Sequence, residues 1–536
     1  MTADPPLHPA AERLLDAAMH QHFAGTIAKH RPSMPTWLAA ALLLLGLAVV
    51  TMVWVGVANY GDAVAQQPEP LPLPPEVDGK SPAAIAALPA TTENLVARLV
   101  DPRDLQVVTR FARLRGLRLW PKPNFVGMGS LDSMWNNPPA ELLQPLCQLP
   151  NLEVLGLPDE LTITPALLAP LAGHPRLREL RLVRDRFTID EGFVAALARI
   201  PKLESLHLSF VPLNPDAMRL LATVPLRSIA FEHCPGLDAG GWQGLVAMQH
   251  LRRISFREWD WNVVAGQIKT PPGWHPAADD LQQLQRLPHL HCLELRRCNV
   301  GDEQLAALPD RLTTLRLTGS KLTAEGIGAL RRLLALRTLE FDAKSSSSVL
   351  ASRFEPDRDD LADAFAAALA PLRLQSLDYR GALTADVAAA IGAQRHLREL
   401  AVASKVPAGP HTTAMFRRLG LRQLLWHAPL DAAVLTAIAA QPELVDLELR
   451  ADTITDLEAL SPAPKLERLT LTQMTIGNGI PADVLTPLAR CASLREITVN
   501  VSITRGEPHP SEADLQRAVG DRIRVRLQES EFTVRK

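Results

Sequence analysis

One pattern of apolar and variable positions recurs along most of the chain. It reads aliphatic residue, two variable residues, aliphatic residue, one variable residue, apolar residue, and fifteen copies follow one another, most of them 22 to 28 residues apart. The second and third apolar positions are two residues apart, so they share one face of a short strand. The copies begin at Leu114, Leu152, Leu177, Leu203, Leu226, Leu251, Leu290, Leu312, Leu336, Leu374, Leu397, Leu421, Leu444, Leu466 and Leu494.

The segments between the copies predict helices, as at 216–222, 324–330 and 386–391. A single strand–helix unit cannot bury its own apolar face, so the units must stack, with their strands in one parallel sheet. The variable residue between the two strand positions then points away from the core. Glu294 and Arg316 occupy this position, and we expect both to be exposed and to tolerate alanine within about 0.5 kcal/mol.

Over about residues 105 to 530 this pattern resembles the leucine-rich repeat superfamily, and the Ala-rich helices are most similar to its ribonuclease-inhibitor-like class. The family's Asn or Cys position after the strand is irregular here, although Cys234 and Cys298 fit it. The resemblance implies an α/β solenoid with parallel strands on a concave face and helices on the convex face. It also implies a ligand-binding scaffold, usually for proteins, and no chemistry.

The array needs a cap at each end. Residues 91–111 suit an N-terminal helical cap, with Thr91 or Thr92 as its N-cap. At the other end Ser511 is suited to cap a helix, and the alternation of Ile523, Val525 and Leu527 predicts a closing strand.

Ahead of the repeats lies one long apolar run. Trp37–Val57 contains 21 residues without a charge, enough to cross a bilayer as a helix. Lys29 and Arg31 precede it and acidic residues follow, which predicts a cytoplasmic N-terminus and an extracytoplasmic C-terminal part. The competing interpretation, a signal peptide cleaved after Ala63-Val64-Ala65, is disfavoured by the length of the run.

These boundaries divide the chain into four parts: a short cytoplasmic segment (1–36), the transmembrane helix (37–57), a Pro-rich linker (58–90) and the repeat domain with its caps (91–536). The segment 66–76 reads QQPEPLPLPPE, which predicts an extended spacer.

The composition argues against one class of partner and one class of scaffold. Lys plus Arg is 56 and Asp plus Glu is 58, a balance that argues against nucleic acid as a partner. Five Cys are too few for a disulfide-dense scaffold.

The chain carries no recognised catalytic or phosphate-binding motif, so we expect neither an enzyme nor a cofactor. His289, His291, Cys292 and Cys298 are the best metal candidates. Register places Cys292 on the concave side and Cys298 in the core, so they should not converge on one ion.

The concave face predicts a basic zone followed by an acidic one. The acidic residues are Glu340, Asp342, Asp378 and Glu399. Within the basic zone Arg181, Arg253, Arg257 and Arg296 take outward strand positions and are our candidates for binding a partner. The alternative is a merely solvated surface with mixed charges.

Two tryptophans are further candidates for binding the partner. Trp259 and Trp261 lie in one of three longer gaps between repeats, after Leu251, and either anchor the partner or pin the insertion to the solenoid.

Together these features predict a single-pass, inner-membrane protein, bacterial in character, whose repeat domain binds a protein partner on its concave face without catalysis. The alternative is an envelope receptor for carbohydrate or cell-wall glycan.

Overall fold

The computed structural model describes residues 73, 76–99, 102–121, 138–158, 161–183, 187–258, 276–342, 359–407, 409–451, 454, 457–473, 480–504 and 510–532. Gln67–Ser530 forms one compact unit, which contains nearly all of them. The predicted transmembrane helix at Trp37–Val57, Trp259 and Trp261 lie outside the described residues. Within the described ranges, no helix has the length and apolar character needed to cross a membrane.

Eighteen strands of the described ranges form one sheet. From β1 to β17, each strand pairs in parallel with the strand that follows it in the chain. The strands are β1 Val77–Gly79, β2 Asn94–Leu99, β3 Gly116–Pro121, β4 Val154–Gly156, β5 Glu179–Val183, β6 Ser205–Ser209, β7 Ser228–Glu232, β8 Arg253–Arg257, β9 Cys292–Arg296, β10 Thr314–Thr318, β11 Thr338–Asp342, β12 Ser376–Arg380, β13 Glu399–Ala403, β14 Gln423–His427, β15 Asp446–Ala451, β16 Arg468–Gln473, β17 Glu496–Thr504 and β18 Arg524–Phe532.

The fifteen copies of the pattern correspond to β3–β17, so the predicted repeat register is confirmed. Its second and third apolar positions are buried and stack from strand to strand, as Leu293 does on Leu315. Because every unit contributes buried apolar side chains at the same two positions, one continuous core runs along the array.

Short helices return the chain between strands. The α-helices are Pro82–Ala87, Pro165–Leu168, Glu191–Ala198, Pro215–Leu221, Ala239–Ala247, Ala278–Gln283, Asp302–Ala306, Ala324–Ile327, Asp359–Leu369, Ala385–Gly392, Pro410–Phe416, Ala432–Ala439, Ala482–Leu485 and Glu512–Val519. The 3₁₀ helices are Pro102–Arg110, Ala140–Gln148, Ala169–Leu171, Leu284–Arg286, Gly328–Arg332, Glu458–Leu460 and Thr486–Arg490.

Several helices begin at a side-chain cap. The side-chain oxygens of Asn214, Asp238, Thr384 and Asp431 each accept a hydrogen bond from the backbone N–H three residues later. The caps satisfy N–H groups that the first helical turn leaves unpaired, so each short helix starts at a fixed residue.

The predicted N-terminal helical cap at 91–111 is wrong. Asn94–Leu99 is strand β2, and only Pro102–Arg110 is helical, as a 3₁₀ helix. Leu95, Ala97 and Leu99 alternate into the core and are fully buried, which favours a strand. The array also begins before residue 91, since β1 and the helix Pro82–Ala87 belong to it, so the predicted linker 58–90 extends too far.

The C-terminal cap matches its prediction. Ser511 caps the helix Glu512–Val519, accepting a hydrogen bond from the Asp514 N–H. Ile523 is buried directly before strand β18, and Val525 is buried within it. The Arg524 N–H donates to the Arg495 carbonyl at 2.8 Å, which aligns β18 beside β17.

Candidate functional site

The sheet has one face turned away from the helices, which we call the open face. The first, third and fifth residues of each repeat strand point to it, because the second and fourth are buried in the core. The register aligns these positions in rows, as Arg257 of β8, Arg296 of β9 and Thr318 of β10 show. Side chains far apart in sequence therefore meet there.

The middle of the open face is closed by buried ion pairs. We define the charged cluster as Glu294, Arg296, Arg316, Glu340 and Arg380, from strands β9 to β12. The Arg296 Nη2 donates to the Glu340 Oε2 at 2.7 Å. The Glu340 carboxylate also lies 3.9 Å from the Arg316 guanidinium and 3.5 Å from that of Arg380. A second carboxylate, Glu294, lies 3.7 Å from Arg296 and 3.9 Å from Arg316.

The expectation that Glu294 and Arg316 are exposed is therefore wrong. Their exposed fractions are 1% and 8%. Both do point to the open face, as the register predicted, but long charged side chains from neighbouring strands cover one another there. A buried charge is stable only when it is paired, and the register supplies the partners.

The field of the arginines determines the protonation of Glu340. Burial acts to raise the pKa of this carboxyl, but Arg296, Arg380, Arg316 and Arg257 outweigh it and lower the pKa below its ordinary value. Glu340 is thus ionised near neutral pH. The two charge zones that the sequence predicts separately, basic then acidic, interlock at this point.

The four candidate arginines differ in environment. Arg296 is 5% exposed and belongs to the charged cluster. Arg181, partly exposed, donates to the Glu179 carboxylate at 2.5 Å. Arg257 lies 3.8 Å from the Glu232 carboxylate, and Arg253 lies beside Cys292, its register neighbour on β9.

Part of the chain ahead of the repeats covers the N-terminal end of the open face. Glu76 lies with its carboxylate 3.9 Å from the Arg118 Nη2 of β3. Leu73 reaches Gly116, where an added Cβ would be only 2.8 Å from the leucine Cδ1. Both residues line a small cavity with Arg118, Gly156 and Arg181. The sequence predicted only a spacer here.

A Ser, His and Glu group on β6 and β7 also escaped the sequence reasoning. The Ser209 Oγ lies 3.3 Å from the His207 Nε2 and donates to the Glu232 Oε2 at 2.9 Å. That carboxylate oxygen lies 3.2 Å from the same His207 nitrogen. A catalytic triad needs the hydroxyl and the carboxylate on opposite ring nitrogens, so this arrangement cannot relay a proton from serine.

The C-terminal stretch of the open face is more accessible. Ala401 of β13 pairs with Leu425 of β14, and with Ala403 they form a partly exposed patch that we call the apolar centre. Ion pairs flank it on both sides. On β12 the Arg380 Nη2 donates to Asp378 at 2.9 Å, and on β15 the Arg450 Nε donates to Glu448 at 2.6 Å.

Four of the five cysteines, all except Cys147, are buried, which limits their reactivity. Cys292 points to the open face and Cys298 to the core, as their register predicted, and both are buried. Burial raises the pKa of the Cys234 thiol to about 12, which leaves it protonated. Over the part of the chain that the structure describes, no three His, Cys, Asp or Glu side chains come together as metal ligands.

A family model of known proteins matches one repeat of this chain. Residues 286–308, which include β9, match the family model described as Leucine Rich repeat. No curated protein matches the chain significantly. Many solved structures match, and among them is the crystal structure of a TLR13–ssRNA13 complex, at 16% identity with a TM-score of 0.39, over 84% of this chain and 58% of that one. This chain therefore spans less than two thirds of that protein's length.

Proposed function

Taking the chain as a leucine-rich repeat protein, we propose that it is a membrane-anchored, extracytoplasmic scaffold that binds a protein partner on its open face and catalyses no reaction. The anchor is inferred from the sequence of Trp37–Val57, an uncharged run of membrane-spanning length. A reporter active only outside the cytoplasm, fused after Lys536, tests the orientation. Activity of a cytoplasmic reporter alone would invert it.

The observation that carries partner binding is the apolar centre between two charged margins. Protein interfaces combine an apolar middle with a polar rim, which excludes water from the contacts at the centre. Ala401, Ala403 and Leu425 provide the middle, and the ion pairs on β12 and β15 provide the rim.

A protein partner fits this surface better than a glycan does. Sugars are commonly held by exposed aromatic rings, and the aromatic residues of these strands, Tyr379 and Trp426, are fully buried on the core side. We therefore assign the apolar centre to a protein and keep glycan binding as an outcome of the test.

The predicted arginines have a subsidiary role in this proposal. Arg181, Arg253 and Arg257 would attract an acidic partner and raise its association rate, an effect that salt weakens. The buried position of Arg296 makes it a structural residue of the charged cluster.

The test replaces Leu425 with Arg. A charge at the middle of a desolvated contact should weaken binding at least about tenfold, equivalent to about 1.4 kcal/mol. Leu334→Arg is the matched control, because Leu334 is 59% exposed and lies outside the sheet. Crosslinking pull-down with quantitative mass spectrometry should find a protein that Leu425→Arg loses and Leu334→Arg retains. If no protein shows this difference while a glycan array does, the glycan alternative replaces the proposal.

A further inference from the structure

At the N-terminal end of the open face, strand β3 contacts residues that precede β1. Leu73 and Glu76 come from the Pro-rich segment ahead of β1, yet they lie on residues of β3. Strand β1 follows at once, and Asp78 within it accepts a hydrogen bond from Arg98 of β2 at 2.8 Å. The segment is therefore held close to this end of the face.

The face at this point is shaped to receive an extended chain. Gly116 and Gly156 stand at open-face positions of β3 and β4, where other strands carry side chains. A Cβ on Gly116 would clash with the Asn94 side chain of β2 and would lie 2.8 Å from the Leu73 Cδ1, and a Cβ on Gly156 would lie 3.2 Å from the Arg118 Cγ. The absence of a side chain at Gly116 thus lets both Asn94 and Leu73 approach β3, and Gly156 leaves a shallow groove beside Arg118.

The charges at the groove favour a carboxylate. Arg118 of β3 and Arg181 of β5 occupy the same row on either side of Gly156. Two strand spacings separate them by roughly 10 Å. Glu76 lies nearer Arg118, and its negative charge also acts on Arg181. An anionic side chain placed there meets the Arg118 guanidinium, and Arg181, which itself donates to Glu179, adds a weaker attraction from farther away.

The resident contact is weak enough to be displaced. The Arg118 and Glu76 side chains are 24% and 39% exposed, and exposed ion pairs contribute at most about 1 kcal/mol. Three of the five residues from Pro72 to Glu76 are proline, whose fixed φ reduces the entropy lost on docking. A peptide with the same features therefore loses little conformational entropy on binding, and the resident residues that compete with it are weakly held.

We propose that the groove of β3–β5 binds an extended peptide that carries a leucine and, three residues later, a carboxylate, and that Leu73 and Glu76 are its resident, displaceable occupants. A partner protein with this spacing docks by replacing the resident segment. The groove shares no residue with the apolar centre, so either surface can be lost without the other.

The test uses the full chain and a fluorescent peptide of residues 69–76, with binding measured by anisotropy. Leu73→Ser/Glu76→Gln releases the resident segment and leaves the pairing of β1 intact. Because the resident segment is tethered to the repeats, it competes with the free peptide at an effective concentration of about 1 mM. If the segment and the peptide each bind the groove with a Kd of about 0.1 mM, releasing the segment should tighten peptide binding about tenfold. Leu334→Ser/Glu443→Gln makes the same chemical changes at exposed positions and should bind like the wild type.

Two variants test whether the peptide occupies the groove. Arg118→Gln in the released variant should weaken peptide binding by about two- to fivefold, the range that an exposed ion pair supplies. A peptide with Gln in place of its final Glu should bind equally weakly. Far-UV circular dichroism checks each fold, and Glu76→Gln alone, which should give a smaller increase, replaces the double variant if that unfolds. The proposal is overturned if the released variant binds no tighter than the wild type, or if Arg118→Gln has no effect. Partner capture that depends on Leu425 would persist in either case, so this failure differs from failure of the proposed function.

Discussion

Glu340→Gln should be among the most destabilising conservative changes on the open face. The substitution keeps the size of the side chain and removes its charge, while the guanidinium groups of Arg296, Arg316 and Arg380 stay within 2.7 to 3.9 Å of the site. Glu340 is 6% exposed, so water cannot replace the lost carboxylate. Removing one partner of a buried ion pair typically costs about 3–5 kcal/mol. Since Glu294 still balances part of the positive charge, we expect about 3 kcal/mol.

Urea denaturation of the full chain, followed by far-UV circular dichroism, measures this loss. Glu443→Gln is the matched control, because Glu443 accepts a hydrogen bond from Lys465 at 2.8 Å and both side chains are more than half exposed. It should leave the unfolding curve nearly unchanged. Equal midpoints for the two variants would refute the conclusion that burial determines the strength of the charged cluster.

Two additional measurements test the cause. Arg296→Met combined with Glu340→Gln should lose less stability than the sum of the single changes, because it removes a charge left unpaired. The pKa of Glu340 is lowered in the folded state, so its stabilisation is complete above the unfolded pKa of about 4.3 and is lost as pH falls through the folded pKa. Glu340→Gln should therefore show a shallower loss of stability in acid than the wild type.

The sequence could not reveal this cluster, although it predicted the strands that build it. Leucines at fixed positions repeat the same requirement in every unit, so β3–β17 can be located without knowing any contact between units. The partnership of Arg296 with Glu340 spans 44 residues and two strand pairings. It depends on the register of β9, β10 and β11 together, which a one-dimensional pattern does not contain.

The predicted N-terminal boundary of the repeat domain was wrong for a different reason. In β2 the leading aliphatic position is filled by Thr92 and the third apolar position by Ala97, so the pattern does not recognise this strand. Thr92 is nevertheless buried, and its hydroxyl donates to the Pro89 carbonyl at 2.7 Å. A local hydrogen bond therefore replaces the apolar contact that the pattern requires. The position of Glu76 on Arg118 was equally hidden, because proline spacing indicates an extended chain but not the surface it meets.

Three further changes probe the core, the turns and the cap. Leu293→Ala removes a fully buried side chain and should lower the free energy of unfolding, measured by urea denaturation, by about 2–5 kcal/mol. A decrease below about 1 kcal/mol would contradict the assigned register of the strand. Burial lowers the pKa of His174, so below about pH 6.5 the unfolded chain binds a proton that the folded chain does not, and stability falls. His174→Gln should make this fall shallower, because glutamine does not titrate. Glutamine can also replace the hydrogen bond of His174, since Gln394 donates to the carbonyl 25 residues before it just as His174 contacts the Leu149 carbonyl. An unchanged pH profile would show that His174 does not cause the loss of stability. Gln516 accepts a hydrogen bond from the Val525 N–H at 3.0 Å, and Glu512 accepts one from the Leu527 N–H at 3.0 Å, so these two side chains occupy N–H groups on the outer edge of β18 that another strand could otherwise bind. Gln516→Ala should therefore speed amide exchange at Val525 at least about tenfold, because the freed N–H meets water, while amides of the central strands keep their protection. Unchanged exchange at Val525 would mean that the edge is protected by something other than this side chain.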